Sequence, residues 1–135
     1  MSKGRGKNPY KAHAVKVKIA GHKKIELEED VHEYASRLEA RCAEVLIKHE
    51  VRFKPHVKFN CVDREGKPFT YEVDFLFEEP KKFLGISEAI DAIEVKGVLS
   101  RHDFLRRTAL KFKHGIDAYI ALEPIIQLWE NEGVR

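Results

Sequence analysis

Three acids and one lysine stand in surroundings that call for a chemical reason. Asp74 lies in the run Tyr71-Glu72-Val73-Asp74-Phe75, and Glu94 lies in Ile93-Glu94-Val95-Lys96-Gly97. Both runs are rich in the β-branched and aromatic residues of strands, and a carboxylate embedded in such a run needs a partner, because burying an unpaired charge is costly. Glu94 and Lys96 are two residues apart, so on a strand they project from one face while Ile93 and Val95 point to the other. Charged groups gathered at one sheet edge in this way can satisfy one another around a divalent cation. Phosphodiester hydrolysis needs such a set. Carboxylate oxygens hold Mg²⁺ or Mn²⁺, the metal polarises the phosphate and acidifies a bound water, and a lysine stabilises the charge that develops in the transition state. In this assignment Asp74 and Glu94 are the main metal ligands, the Val95 carbonyl adds a ligand between them, and Lys96 serves the nucleophile.

The elements that must carry these residues are legible from periodicity and punctuation. Val31, Tyr34, Ala35, Leu38, Cys42, Val45 and Leu46 recur at helical spacing, with Asp30 as N-cap and Glu33 three residues later in capping-box position. Glu39 falls at the edge of that apolar stripe, whereas Glu33 and Glu44 fall on the opposite face. The runs 53–62 and 69–77 read as strands joined by a turn at Asp63-Arg64-Glu65-Gly66, followed by a loop over 78–87. Residues 89–98 read as a central strand and 101–114 as a helix stopped by Gly115. A buried strand over 117–122 and a short helix over 124–132 complete the chain. Upstream, residues 1–11 read as a flexible arm, and Val15, Val17 and Ile19, then Ile25 and Leu27, read as two short strands. This order predicts an α/β fold with a mixed sheet, organised as a basic arm over 1–13 and a single domain over 14–135.

Val73-Asp74-Phe75 followed by Ile93-Glu94-Val95-Lys96-Gly97 resembles the PD-(D/E)xK nuclease superfamily, in which an acid precedes an E-x-K strand by a variable gap. Asp74 matches the first acid and Glu94-Val95-Lys96 matches E-x-K, with a gap of 94 − 74 = 20 residues. Val73 stands where the motif's name places proline. Ser36 and Glu39 match the S-x-x-E that many members carry on the preceding helix, so the resemblance covers roughly residues 36–122. It implies a restriction-endonuclease-like mixed central sheet flanked by helices, a catalytic set of Glu39, Asp74, Glu94 and Lys96, and Mg²⁺ or Mn²⁺ held by Asp74, Glu94, Val95 and Glu39. The layout is similar to small archaeal and phage Holliday junction resolvases, which implies branched DNA as substrate, a role in recombination, and a homodimer whose two sites make paired incisions. A duplex-directed restriction, repair or transposase-type endonuclease, an RNA-directed nuclease, and a non-catalytic nucleic-acid-binding module are the competing expectations.

Charge distribution points to the same class of partner. The chain carries 25 Lys/Arg and 22 Asp/Glu, a net of +3, but residues 1–24 hold eight bases and no acid. The remainder therefore carries 17 bases and 22 acids, a net of −5. A basic arm on a mildly acidic body suits a polyanion. Candidate DNA contacts are Lys3, Arg5, Lys7 and Lys11 in the arm, and Arg101, Arg106 and Arg107 on the helix after the E-x-K strand. The histidines at 13, 22, 32, 49, 56, 102 and 114 lack zinc spacing and are expected at the surface or satisfied. Cys42 and Cys61 are expected as free buried thiols and Trp129 as core. No glycine-rich phosphate loop, secretory leader or membrane span is read, so a cytoplasmic, intracellular protein is the expectation.

Overall fold

The computed structural model describes residues 36–135. The basic arm with Lys3, Arg5, Lys7 and Lys11, the two short strands expected before residue 28, and the Asp30 cap lie outside the described residues. The chain divides into two compact units, Met1–Val51 and Arg52–Arg135.

The described part of the first unit is helix α1, Arg37–Lys48. Its N-cap is Ser36, in extended conformation, whose side chain accepts the Glu39 N–H at 3.1 Å. This satisfies one of the free donors of the first turn. Ala40, Cys42, Ala43, Val45 and Leu46 are buried, as the apolar stripe requires, and Glu44 is exposed.

The second unit is built on a four-stranded mixed sheet in the order β1-β2-β3-β4, comprising Phe53–Val62, Pro68–Lys81, Ile90–Val95 and Ala118–Ala121. The first three strands are antiparallel, and β4 runs parallel to β3. The hairpin register is set by its turn. Asp63 Oδ1 accepts the N–H groups of Glu65 and Lys67, each at 2.8 Å, and Gly66 takes φ +85°, a region that glycine enters without steric cost. The pairing Val62↔Pro68 then propagates to Phe53↔Phe77.

A parallel neighbour requires a crossover, supplied by α2, Arg101–His114. Ser100 and Asp103 form a reciprocal capping box at its start, and Gly115 ends it in the left-handed conformation. Helix α2 buries Leu110 in a cluster with Cys61, Tyr71, Val73, Ala92 and Ala118. The remaining helix, α3 (Glu123–Glu132), buries Ile126 and Trp129. Trp129 donates to the Leu84 carbonyl at 2.8 Å and lies against Phe83, which stacks on Phe77. Both cysteines are buried, and Trp129 is core, as expected. Among the described residues no helix is long and apolar enough to cross a membrane.

One irregularity bears on the site. Tyr71 and Val73 belong to the cluster beneath α2, and Leu76 packs against the same cluster. An undisturbed strand would send Val73 and Leu76 to opposite faces, so the alternation slips by one residue in the stretch that holds Asp74. On the facing strand, Pro55↔Phe75 and Val57↔Val73 are paired, while His56 between them leaves the ladder with φ +53°. A side chain with a Cβ is strained there.

Candidate active site

Asp74 and Glu94 are brought together by strand pairing. The register that joins Leu76 to Ala92 and Phe75 to Ile93, continued by one residue, sets Asp74 opposite Glu94. Both are half-buried, with side chains 16% and 18% exposed. Asp74 Oδ2 accepts the Val95 N–H at 2.7 Å. Burial pushes the Asp74 carboxyl up to about 6, against the Val95 hydrogen bond, which lowers it; the charge of Glu94 raises it further, His56 opposes, and Glu72 adds a small rise. Desolvation and a like-charged neighbour thus make Asp74 reluctant to ionise.

Glu94 is held from the other direction. Tyr71, 2% exposed, donates its hydroxyl to Glu94 Oε1 at 2.6 Å. Burial, this hydrogen bond and the Glu94 charge all push the phenol pKa up, so Tyr71 stays a neutral donor. Lys96 is the next charged group. It follows the last residue of β3, and its N–H donates to the Ala121 carbonyl at 3.0 Å. Its ammonium stands 3.5 Å from Glu94 Oε2 and 3.5 Å from Asp103 Oδ1. Each of the two strand acids therefore has one oxygen anchored by a protein donor, and the second faces the site.

The expected set meets this geometry unevenly. Asp74, Glu94, Val95 and Lys96 are brought together. Glu39 belongs to the first unit: it is 5% exposed, the one buried charged residue among the described residues, and sits in the first turn of α1. Its spacing from Ser36 has a local cause as well, since Ser36 caps the helix through the Glu39 N–H. Arg101 is exposed at the start of α2. Arg107 is half-buried with its guanidinium over Phe104. Arg106, half-buried, makes contacts within the protein. Its guanidinium donates to the Thr70 carbonyl at 2.8 Å and lies 4.8 Å from the Phe69 ring centroid and 5.7 Å from that of Tyr71. A cation stacked and hydrogen-bonded in this way supports the sheet edge rather than facing solvent.

Three residues at the site are not singled out by sequence. Tyr71 carries no signal, since an aromatic in a strand is ordinary core. Asp103 has one, the Ser100-x-x-Asp103 capping pattern, but nothing in it announces the contact with Lys96. His56, expected as a surface or satisfied histidine, has Nδ1 at 3.1 Å from Glu72 Oε2 and 4.0 Å from Asp74 Oδ1. The hairpin register alone would have placed it opposite Asp74. A cavity of about 20 Å³, the size of one water molecule, opens between Tyr71, Glu72, Glu94, Asp103 and Arg106.

No protein-family model, curated protein or solved structure matches the chain. The case for a function therefore rests on these residues and their geometry.

Proposed function

We propose that this chain is a divalent-metal-dependent endonuclease that hydrolyses DNA phosphodiesters, with Asp74, Glu94 and Lys96 as its reactive groups and four-way branched DNA as its substrate. One observation carries the reading: two half-buried carboxylates stand on the neighbouring strands β2 and β3, one of them pushed up to about 6 in part by the other's charge, with an ammonium 3.5 Å from that other. Two acids in that position repel and are poorly solvated, and a hard cation relieves both penalties. The donors fit such a cation, being carboxylate oxygens with one oxygen of each still turned to the site. Asp74, Glu94 and the Val95 carbonyl would hold Mg²⁺ or Mn²⁺, which when bound supplies Lewis-acid polarisation of a phosphate and a more acidic water.

The chain's own groups do the rest. Val95 N–H and the Tyr71 hydroxyl orient the two acids, so neither must reorganise when substrate arrives. Lys96 presents a cation beside Glu94, where charge grows on the attacked phosphate. Arg101, exposed as the first residue of α2, would meet a phosphate of the backbone. The order of three antiparallel strands, a helix and a parallel strand also supports a restriction-endonuclease-like core. Within it the strand acid, the E-x-K strand, the basic helix and the further strand follow in the order the PD-(D/E)xK resemblance implies. The preference for junctions, and the homodimer that would make paired incisions, come from that resemblance.

The test is cleavage of a labelled four-way junction beside linear duplex and single strand of equal length, in Mg²⁺ and in EDTA. Paired nicks confined to the junction and lost in EDTA are expected. Metal-dependent cutting of all three substrates would keep the nuclease and remove the junction preference. Binding without cutting under any metal condition would overturn the enzyme in favour of a nucleic-acid-binding module.

A further inference from the structure

We infer that Asp103 is a positioning residue for Lys96, holding the lysine ammonium between the two strands' chemistry and the head of α2. The inference rests on the nuclease reading for its consequence, but the pairing itself is a geometric statement that can be tested separately.

Lys96 needs such a partner. It lies past the end of β3, where its N–H donates to the Ala121 carbonyl, and its four-carbon stem has several rotatable bonds. With Glu94 as its only counter-charge, the ammonium would settle onto the carboxylate assigned to the metal. Asp103 supplies a second counter-charge from a different element. The ammonium stands equally far from both, 3.5 Å from Glu94 Oε2 and 3.5 Å from Asp103 Oδ1. That distance is at the outer edge of a hydrogen bond, so the ammonium is held by charge and weak hydrogen bonding from two sides without being locked to either.

Asp103 is itself rigid. Its Oδ2 accepts the Ser100 N–H at 3.0 Å and the Ser100 hydroxyl at 2.9 Å, and its own N–H donates to Ser100 Oγ at 3.2 Å. One carboxylate oxygen thus closes the capping box while the other turns to Lys96. Burial pushes the Asp103 carboxyl up, but the Ser100 hydrogen bonds and the Lys96 charge outweigh it and hold the group below the usual carboxylate range. A capping box needs only an acceptor at this position. The charged carboxylate, 12% exposed and aimed at an ammonium, does more than cap a helix.

The full chain with lysine side chains isotopically labelled provides the test, in the parent protein and in Asp103→Asn, Asp103→Glu and Gly115→Ala. The last variant loosens α2 from its far end, where Gly115 has φ +70°, and leaves the site untouched. The Lys96 side-chain resonance, assigned by its loss in Lys96→Arg, is expected to stand apart from the exposed lysines in the parent. It should move towards them in Asp103→Asn, return in Asp103→Glu, and stay in place in Gly115→Ala despite a lower Tm. Junction cleavage in Mg²⁺ is expected to lose about 10–100-fold in kcat with little change in KM in Asp103→Asn, with substantial recovery in Asp103→Glu. An unmoved Lys96 resonance in Asp103→Asn, or a kcat loss no larger than that of Gly115→Ala, overturns the inference. If the parent cleaves nothing, the nuclease reading falls, and the Lys96 resonance still decides whether Asp103 holds it.

Discussion

Replacing Asp74 by Asn should make the protein more stable at neutral pH while abolishing its proposed activity. The Asp74 carboxyl is raised from its ordinary 3.8 to about 6, a difference of about two units. At about 1.4 kcal/mol per unit, holding it ionised in the folded state costs about 3 kcal/mol. The sign follows from proton binding. The folded protein keeps a proton on Asp74 between about pH 4 and pH 6 that the unfolded chain has already released, so stability falls as the pH rises through that window. Below about pH 4 both states are protonated and the penalty vanishes. Asn carries no charge, and its amide oxygen can still accept the Val95 N–H that Asp74 accepts at 2.7 Å. In EDTA, Asp74→Asn should therefore exceed the parent by about 2–3 kcal/mol at pH 7.5 and match it near pH 3.5–4. Urea unfolding followed by the fluorescence of Trp129, the sole and fully buried tryptophan, measures both. Mg²⁺ should raise the parent's stability by mass action and leave the variant unchanged. A variant less stable than the parent at pH 7.5 would refute the reasoning, because Asp74 would then be a net stabilising anion, and so would a gap independent of pH, because the difference would then not come from its ionisation.

Two further substitutions test how the site is supported. Tyr71→Phe removes the hydroxyl that orients Glu94 but keeps the ring beneath Arg106; unfolding stability should drop by about 1–3 kcal/mol, and Mg²⁺-dependent cleavage should fall by about 10–100-fold. Unchanged cleavage would mean that Glu94 needs no orientation. Gly85→Ala acts far from the site: Gly85 has φ +87°, and an added Cβ would lie 2.8 Å from Ile125 Cδ1 and 3.1 Å from Leu128 Cδ2. Thermal unfolding should show a loss of about 1 kcal/mol or more, whereas an unchanged Tm would show that the loop and α3 shift apart freely.

The elements that matched expectation are those with local causes. Strand β1 and helix α2 have the ends expected from their turn and cap residues, because Asp63, Gly66, Ser100 and Gly115 act within a few residues of themselves. The elements that differed are governed by neighbours. β2 was expected to stop at Phe77 but runs to Lys81, through Pro80, with an irregular register against β3 after Leu76. β3 was expected over 89–98 but covers Ile90–Val95, and its parallel partner β4 covers Ala118–Ala121. Strand length follows the ladder available to it, and side-chain patterns do not report that.

By itself the sequence determined which residues could do chemistry: acids embedded in apolar strands, and a lysine two residues from one of them, read as an expensive arrangement wherever the chain goes. Their types and the basic arm also suggested a cation and a polyanion as the partners to propose. Tertiary structure alone decided which groups meet. Tyr71 reaches Glu94 across 23 positions and His56 approaches Asp74 across 18, and the charge of Arg106 is turned inward onto Thr70 and Phe69. Lys96 meets Asp103 only because a crossover helix begins beside the end of β3. Contacts of this kind depend on register, on the slip of alternation near Asp74 and on where a helix starts in space. Those are sums over many weak interactions, and no short stretch of residues encodes them.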